Sequence, residues 1–164
     1  MVYSNRRNII KPHWEVSIVC PVLELAKYIV VKCVKDKHPI SNLQLQKILY
    51  YIQREFLQKL GKIAFPESIE AWQFGPVVSS VYYYFCGAGA MAITLCDDPA
   101  PSAMSKFSRE ERIIIDNIVE EKRELNPWDM VYETHQLGGT WARVYNDGKG
   151  NRGLMLTEEI RNFG

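Results

Sequence analysis

The sequence predicts a mainly α-helical fold, a single compact domain of about five to six helices. Three observations carry that expectation. Apolar residues recur at helical period in successive segments. Two segments open with the same start signal, "SNLQ" at 41–44 and "SREE" at 108–111, in which a serine and a Gln or Glu three residues on cap each other's backbone. The chain has 164 residues and a hydrophobic fraction of 47%, enough for one core, and no repeat or low-complexity stretch divides it.

Residues 1–15 are expected to form an N-terminal arm and 16–164 the domain. The first twelve residues carry Arg6, Arg7 and Lys11 without an acid, a pattern that suits a solvated terminus. The first helix is expected from Pro21 to Lys35, with Val22, Leu25, Ala26, Ile29 and Cys33 on one face and Pro21 in the first turn. The second starts at the Ser41/Gln44 box. Leu45, Ile48, Leu49, Ile52, Phe56 and Leu60 form its apolar stripe, and Gly61 supplies a left-handed stop. Gln46, Lys47, Gln53, Arg54, Gln58 and Lys59 are assigned to its polar face.

The stretch "IEAWQFGPVVSSVYYYF" at 69–85 reads as extended chain turning into a third helix that begins at Pro76 and ends near Gly87 or Gly89. In extended chain Trp72 and Phe74 point the same way. Both are expected to pack under the Leu45–Ile52 face of the second helix, so Trp72→Ala should cost about 3–5 kcal/mol. Tyr82, Tyr83 and Tyr84 cannot all face inward, so at least one reaches the surface.

A loop follows over 88–107, with a short strand expected in "MAITL" at 91–95 and a breaker in "PAPS" at 99–102. The Ser108/Glu111 box opens a fourth helix to about Glu124, with Glu110–Glu111 and Glu120–Glu121 on its solvated side. "NPWD" at 126–129 opens a fifth helix, with Asn126 as N-cap, Pro127 as first helical residue, and Trp128, Val131, Tyr132 and His135 on one face. Gly138–Gly139 end it. The turn-rich "YNDGKGNRG" at 145–153 separates two short segments within 142–156 that are read as a small hairpin or, equally, as helix-loop-helix. A last helix opens at Thr157.

Composition narrows the function. A formal net charge of +1 offers no bulk attraction to nucleic acid, which leaves a nucleic-acid-binding regulator as an alternative only. The most apolar run, near 18–31, is broken by Glu24 and Lys27, and no basic-then-apolar leader opens the chain, so no membrane contact and a cytoplasmic location are expected. The four cysteines contain no C-x-x-C pair and are read as reduced, mostly buried thiols. Phosphate-loop, dinucleotide, zinc-protease and nucleophile-elbow motifs are absent, and "GAGA" at 87–90 follows a helix, where glycine serves as a stop. Asp97–Asp98 lack companions for a metal. A thiol/histidine-dependent hydrolase would need Cys86 or Cys20 beside His135. His135 near a helix C-terminus is otherwise a capping or packing residue, where the dipole favours the imidazolium. No catalytic residue, cofactor or metal is assigned.

The blocks "ISNLQLQKILYYIQ" and "IEAWQFGPVVSSVY" resemble the SocA-like, or Panacea, antitoxin domain of phages and bacterial mobile elements. Leu43, Leu45, Gln46, Lys47, Ile48, Leu49, Tyr50 and Tyr51 carry the first block. Glu70, Ala71, Trp72, Gly75, Pro76, Val77 and Val78 carry the second, and Thr134, His135 and Trp141 resemble a later block. Family members often have proline directly before that tryptophan, where this chain has "GGTW". The resemblance runs from about Val16 to the C-terminus. It implies a non-enzymatic antitoxin that binds and neutralises a cognate protein toxin encoded nearby, with delivery to a cytoplasmic AAA+ protease in some members. Gln46, Lys47, Tyr50, Tyr51, Trp72, Gly75, Pro76, His135 and Trp141, with Phe74 and Tyr82 from the aromatic corner, are the candidate protein-binding or motif residues.

Overall fold

Helix α2 (Asn42–Glu55) is the axis on which the other elements pack. In a computed structural model describing residues 19–164, it lies against α1 (Val22–Lys35), α3 (Ser79–Phe85), α4 (Arg109–Lys122) and α5 (Pro127–Thr134). Helices α6 (Thr140–Tyr145) and α7 (Thr157–Phe163) complete seven α-helices among the described residues, in a mainly α single domain. The expected arm, 1–15, lies outside the described residues. Helix α6 opens the stretch read either as a small hairpin or as helix-loop-helix.

Both capping boxes form. The Ser41 hydroxyl accepts from the Gln44 backbone N–H and the Gln44 side chain returns to the Ser41 N–H; Ser108 and Glu111 do the same for α4. Asn126 caps α5, with Pro127 in its first turn. Beyond Glu55 the chain widens into a π turn, Phe56–Leu60, and Gly61 stops it at φ 65°.

The sharpest departure from the expected order is at 69–78. Pro76 does not start a helix. Strands β1 (Ile69–Trp72) and β2 (Gly75–Val77) form a hairpin with Trp72 opposite Gly75, so only Gln73 and Phe74 make the loop. Gly75 sits at φ 104°, a conformation that side chains disfavour. Proline is tolerated because β2 is an edge strand, where its missing N–H breaks no ladder bond. Extended chain persists until Val78, whose N–H is taken by the Gln46 side chain, and α3 begins only at Ser79.

Strand β3 (Gly153–Met155) pairs antiparallel with the other side of β1, giving the order β2-β1-β3. The stretch within 142–156, read as a small hairpin or equally as helix-loop-helix, combines the two: α6, a tight turn and a short strand whose partner lies some eighty positions earlier. Gly150 permits that turn, since a Cβ there would lie 1.8 Å from the Val144 carbonyl oxygen. The strand expected at 91–95 reduces to one bridge, Ala92 to Ser41, and an Ile93 N–H to Ile40 carbonyl bond of 2.8 Å that seats Ile93 in the core.

The core surrounds most of α2. Besides its apolar stripe, Gln46, Lys47 and Gln53 from its supposed polar face are buried, as is Glu111 of α4. Their partners lie on distant segments. Gln53 accepts from the Ala64 N–H at 2.8 Å and donates to the Phe65 carbonyl at 3.0 Å, and Lys62 pairs with Glu111. Buried polar groups survive only when bonded in this way. Cys20 and Cys33 are buried, but Cys86 is exposed and Cys96 half-buried, fewer buried thiols than expected. Among the described residues no helix is long and apolar enough to cross a membrane.

Candidate functional site

The hairpin tip projects its aromatic residues away from the Leu45–Ile52 stripe, contrary to the expected packing. The two-residue loop turns Phe74 outward to 47% exposure, and its ring meets Trp128 edge-on, with centroids 5.5 Å apart and planes at 89°. Trp72 is half-buried on the flank of the hairpin. Its ring lies 4.9 Å from that of Tyr82, the Arg152 guanidinium stands 4.2 Å over it, and its indole N–H donates to Glu70 Oε2 at 2.7 Å.

These side chains wall a groove of about 530 Å³, with Leu43 and Val77 extending the apolar lining. Its floor is a chain of amides from α2. Val78 N–H donates to Gln46 Oε1, Gln46 Nε2 donates to Asn42 Oδ1, and Asn42 Nδ2 donates to the Tyr82 carbonyl, each at 2.9–3.0 Å. Arg152 is the one charged residue in the lining. Trp128, 60% exposed, and Tyr132, 73% exposed, lie four residues apart on α5 and lengthen the aromatic rim. The face of α5 that enters the core is instead Met130, Val131 and Thr134, so Trp128, Val131, Tyr132 and His135 do not share one buried stripe.

A second layer lies beneath the hairpin. Lys47 is fully buried, and its amine donates to the Pro76 carbonyl at 3.0 Å. A Cβ on Gly75 would fall 2.7 Å from Lys47 Nζ and 2.8 Å from Thr134 Oγ1, so this lysine needs glycine above it. His135 caps α5 and stacks flat on Trp141, at 3.5 Å and 3°. Trp141 stacks on Tyr145, and its indole N–H donates to the Trp72 carbonyl at 2.8 Å, fixing the base of the hairpin. Burial first, and the Lys47 charge second, push His135 down to about 4. The imidazolium that the helix dipole was expected to favour is therefore disfavoured, because removal from water outweighs a partial charge at a helix end.

Tyr50 and Tyr51 face elsewhere. Both are buried, and both line a separate cleft of about 360 Å³ with Arg54, Thr140 and Gly164. The Tyr51 hydroxyl donates to Glu133 at 2.7 Å, and its ring carries Lys122 and Arg54 on its faces. The candidate residues thus separate into three places. Trp72, Phe74, Tyr82 and Gln46 meet in the groove; Lys47, Gly75, Pro76, His135 and Trp141 form the layer below it; Tyr50 and Tyr51 stand apart. The sequence reading missed Trp128 and Arg152. Periodicity groups Trp128 with Val131, Tyr132 and His135 without saying which face is covered, and Arg152 belongs to a turn whose partner strand lies far away in sequence.

The thiol–imidazole pair of a hydrolase is not assembled. Cys20 is buried against Pro21 with its thiol pushed up to about 11, mainly by burial, Cys86 is exposed, and no cysteine–histidine hydrogen bond occurs among the described residues.

Residues 45–142, more than half of the chain, match the family model described as antitoxin SocA-like, Panacea domain. This chain belongs to the SocA-like, Panacea-domain antitoxin family. It is also similar to the antitoxin SocA of Caulobacter vibrioides (strain NA1000 / CB15N), with 32% identity over 125 residues, covering 72% of this chain and 66% of that relative, just under two thirds of its length. No solved structure matches. The Panacea-domain match contains most of α2, the whole hairpin, α3 to α5 and Trp141, so most of the groove and the layer below it lie within it.

Proposed function

We propose that this Panacea-domain chain is a non-enzymatic antitoxin that neutralises a cognate protein toxin by direct binding, with residues 16–164 as the binding unit and the hairpin groove as the contact surface. The supporting observation is the Phe74–Trp128 pair, two large aromatics exposed side by side at the mouth of an apolar groove with a polar floor. Aromatic anchors at the centre of a patch, rimmed by polar groups, are what protein interfaces use to concentrate binding energy. In this reading Trp72, Phe74 and Tyr82 touch the toxin, Gln46 orders the floor, and Lys47, Gly75, Pro76, His135 and Trp141 hold the frame. The pair meets in the cytoplasm. Delivery of the bound toxin to a AAA+ protease is the further step that the family resemblance supports, and it would use a face away from the groove.

The test is co-expression with the product of the neighbouring gene. Restored growth and a co-purifying complex are expected, and Phe74→Ala and Trp128→Ala should each weaken that complex at least about tenfold while leaving the melting temperature nearly unchanged. A neighbour that is neither toxic nor retained on the antitoxin sinks the reading.

A further inference from the structure

Among the described residues, Lys47 is one of the largest side chains with no exposure to solvent. An ammonium carries three N–H donors. Lys47 spends one on the Pro76 carbonyl, and no carboxylate pairs with it among the described residues. Strand β2 offers the Pro76 carbonyl and the bare Cα of Gly75. The end of α5 offers the Thr134 hydroxyl, whose proton goes to the Val131 carbonyl, and His135, the titratable group that senses the Lys47 charge. His135 Nε2 is itself buried without a hydrogen-bond partner. On α2, one turn on, the Tyr51 hydroxyl is turned away to Glu133, which also takes Lys122. A charged ammonium in this enclosure leaves donors unmet and has no counter-ion, whereas a neutral amine needs little more than the bond it makes.

We propose that Lys47 is the positioning residue of the groove: its uncharged amine, enclosed beneath Gly75 and bonded to the Pro76 carbonyl, latches the hairpin tip that carries Trp72 and Phe74, and protonation of that amine releases the latch. Burial drawing Lys47 down to about 7 agrees with this geometry.

The direction follows from linkage. In the latched hairpin Lys47 gives up its proton near pH 7; once the tip lifts and water reaches the amine, it regains the ordinary lysine value of about 10.4. The open form therefore binds more protons between those limits. Opening becomes easier as pH falls from about 10 to about 7, by about tenfold per unit at most, and levels off below. Only the effect on partner affinity rests on the groove being the binding surface; the motion of the free hairpin does not.

The test uses the free full chain. Lys47 Cε, followed by NMR in the labelled protein, is expected to titrate near pH 7. Exchange protection of the Gly75, Val77 and Val78 amides, corrected for intrinsic rates, should rise with pH above 7, and Lys47→Met, similar in size and unable to titrate, should abolish that slope. A Lys47 titration at the ordinary lysine value overturns the proposal, and so does an unchanged slope in the Met variant. If that variant fails to fold, the titration and the wild-type slope still decide. With a partner in hand, a complex that tightens from pH 7 to 9 in wild type but not in Lys47→Met extends the latch to binding. A groove that binds nothing would defeat the proposed function while leaving the hairpin measurements standing.

Discussion

Helices α2 and α4 start alike and end differently. Each is 14 residues long, and each opens with a complete serine capping box. In α4 only Glu111, Ile115 and Val119 are buried, a narrow stripe on an otherwise solvated helix. In α2 eleven of fourteen residues are buried, among them Gln44, Gln46, Lys47 and Gln53. The start signal is local and is satisfied within four residues. The fate of the polar side chains is decided by what packs on them, here the hairpin, the 64–65 segment and the end of α5. One glutamine can be a solvated residue or a structural bridge with no change in its own sequence surroundings.

The most damaging way to probe that difference strikes α2 from outside. Gly75→Ala would drive a methyl against Lys47 and Thr134 at a strained φ, and a loss of about 3–5 kcal/mol is expected in denaturant unfolding from the combined strain and overpacking. Next comes a matched pair. Gln53→Leu strands the Ala64 N–H and the Phe65 carbonyl and is expected to destabilise by about 3 kcal/mol, while Asn117→Ala on the exposed side of α4 should stay within about 0.5 kcal/mol. Equal losses at the two positions would erase the contrast. Ser41→Ala and Ser108→Ala should instead match, at about 1 kcal/mol each, since caps are local in both helices. A pH dependence probes the end of α5 itself. His135 binds its proton less readily folded, near 4, than unfolded, near 6.5, so its contribution is present above pH 6.5 and is lost as pH falls toward 4. Unfolding midpoints at pH 7 and pH 4.5 should converge when His135 becomes Gln.

The parts of the fold readable from the sequence are those with local causes. The two capping boxes, the Asn126-Pro127 start and the Gly61 stop all involve groups within four residues of one another. The hairpin was not readable, because Gly-Pro after extended chain suits a helix start as well as an edge strand. The choice between them rests on β1 and on the Gln46 side chain holding the Val78 N–H. Trp72 and Phe74 were expected to point the same way into the core, but a two-residue loop reverses the chain between them, so alternation along one strand does not apply. Trp128 escaped notice because helical periodicity groups residues by face without saying which face is covered. Lys47 on a polar face is the ordinary expectation for lysine, and only the enclosing hairpin overturns it.

Strand β1 has its second partner, β3, within the last dozen residues of the chain. Synthesis runs from the N-terminus, so β1 and β2 emerge before β3, and β1 keeps one open edge until Gly153–Met155 have been made. A message cut short before Gly153 would yield a protein with most of its helices and an unpaired strand beside the aromatic groove, a template for joining other chains edge to edge. Pairing of Gly153–Met155 with β1 is what closes that edge against aggregation.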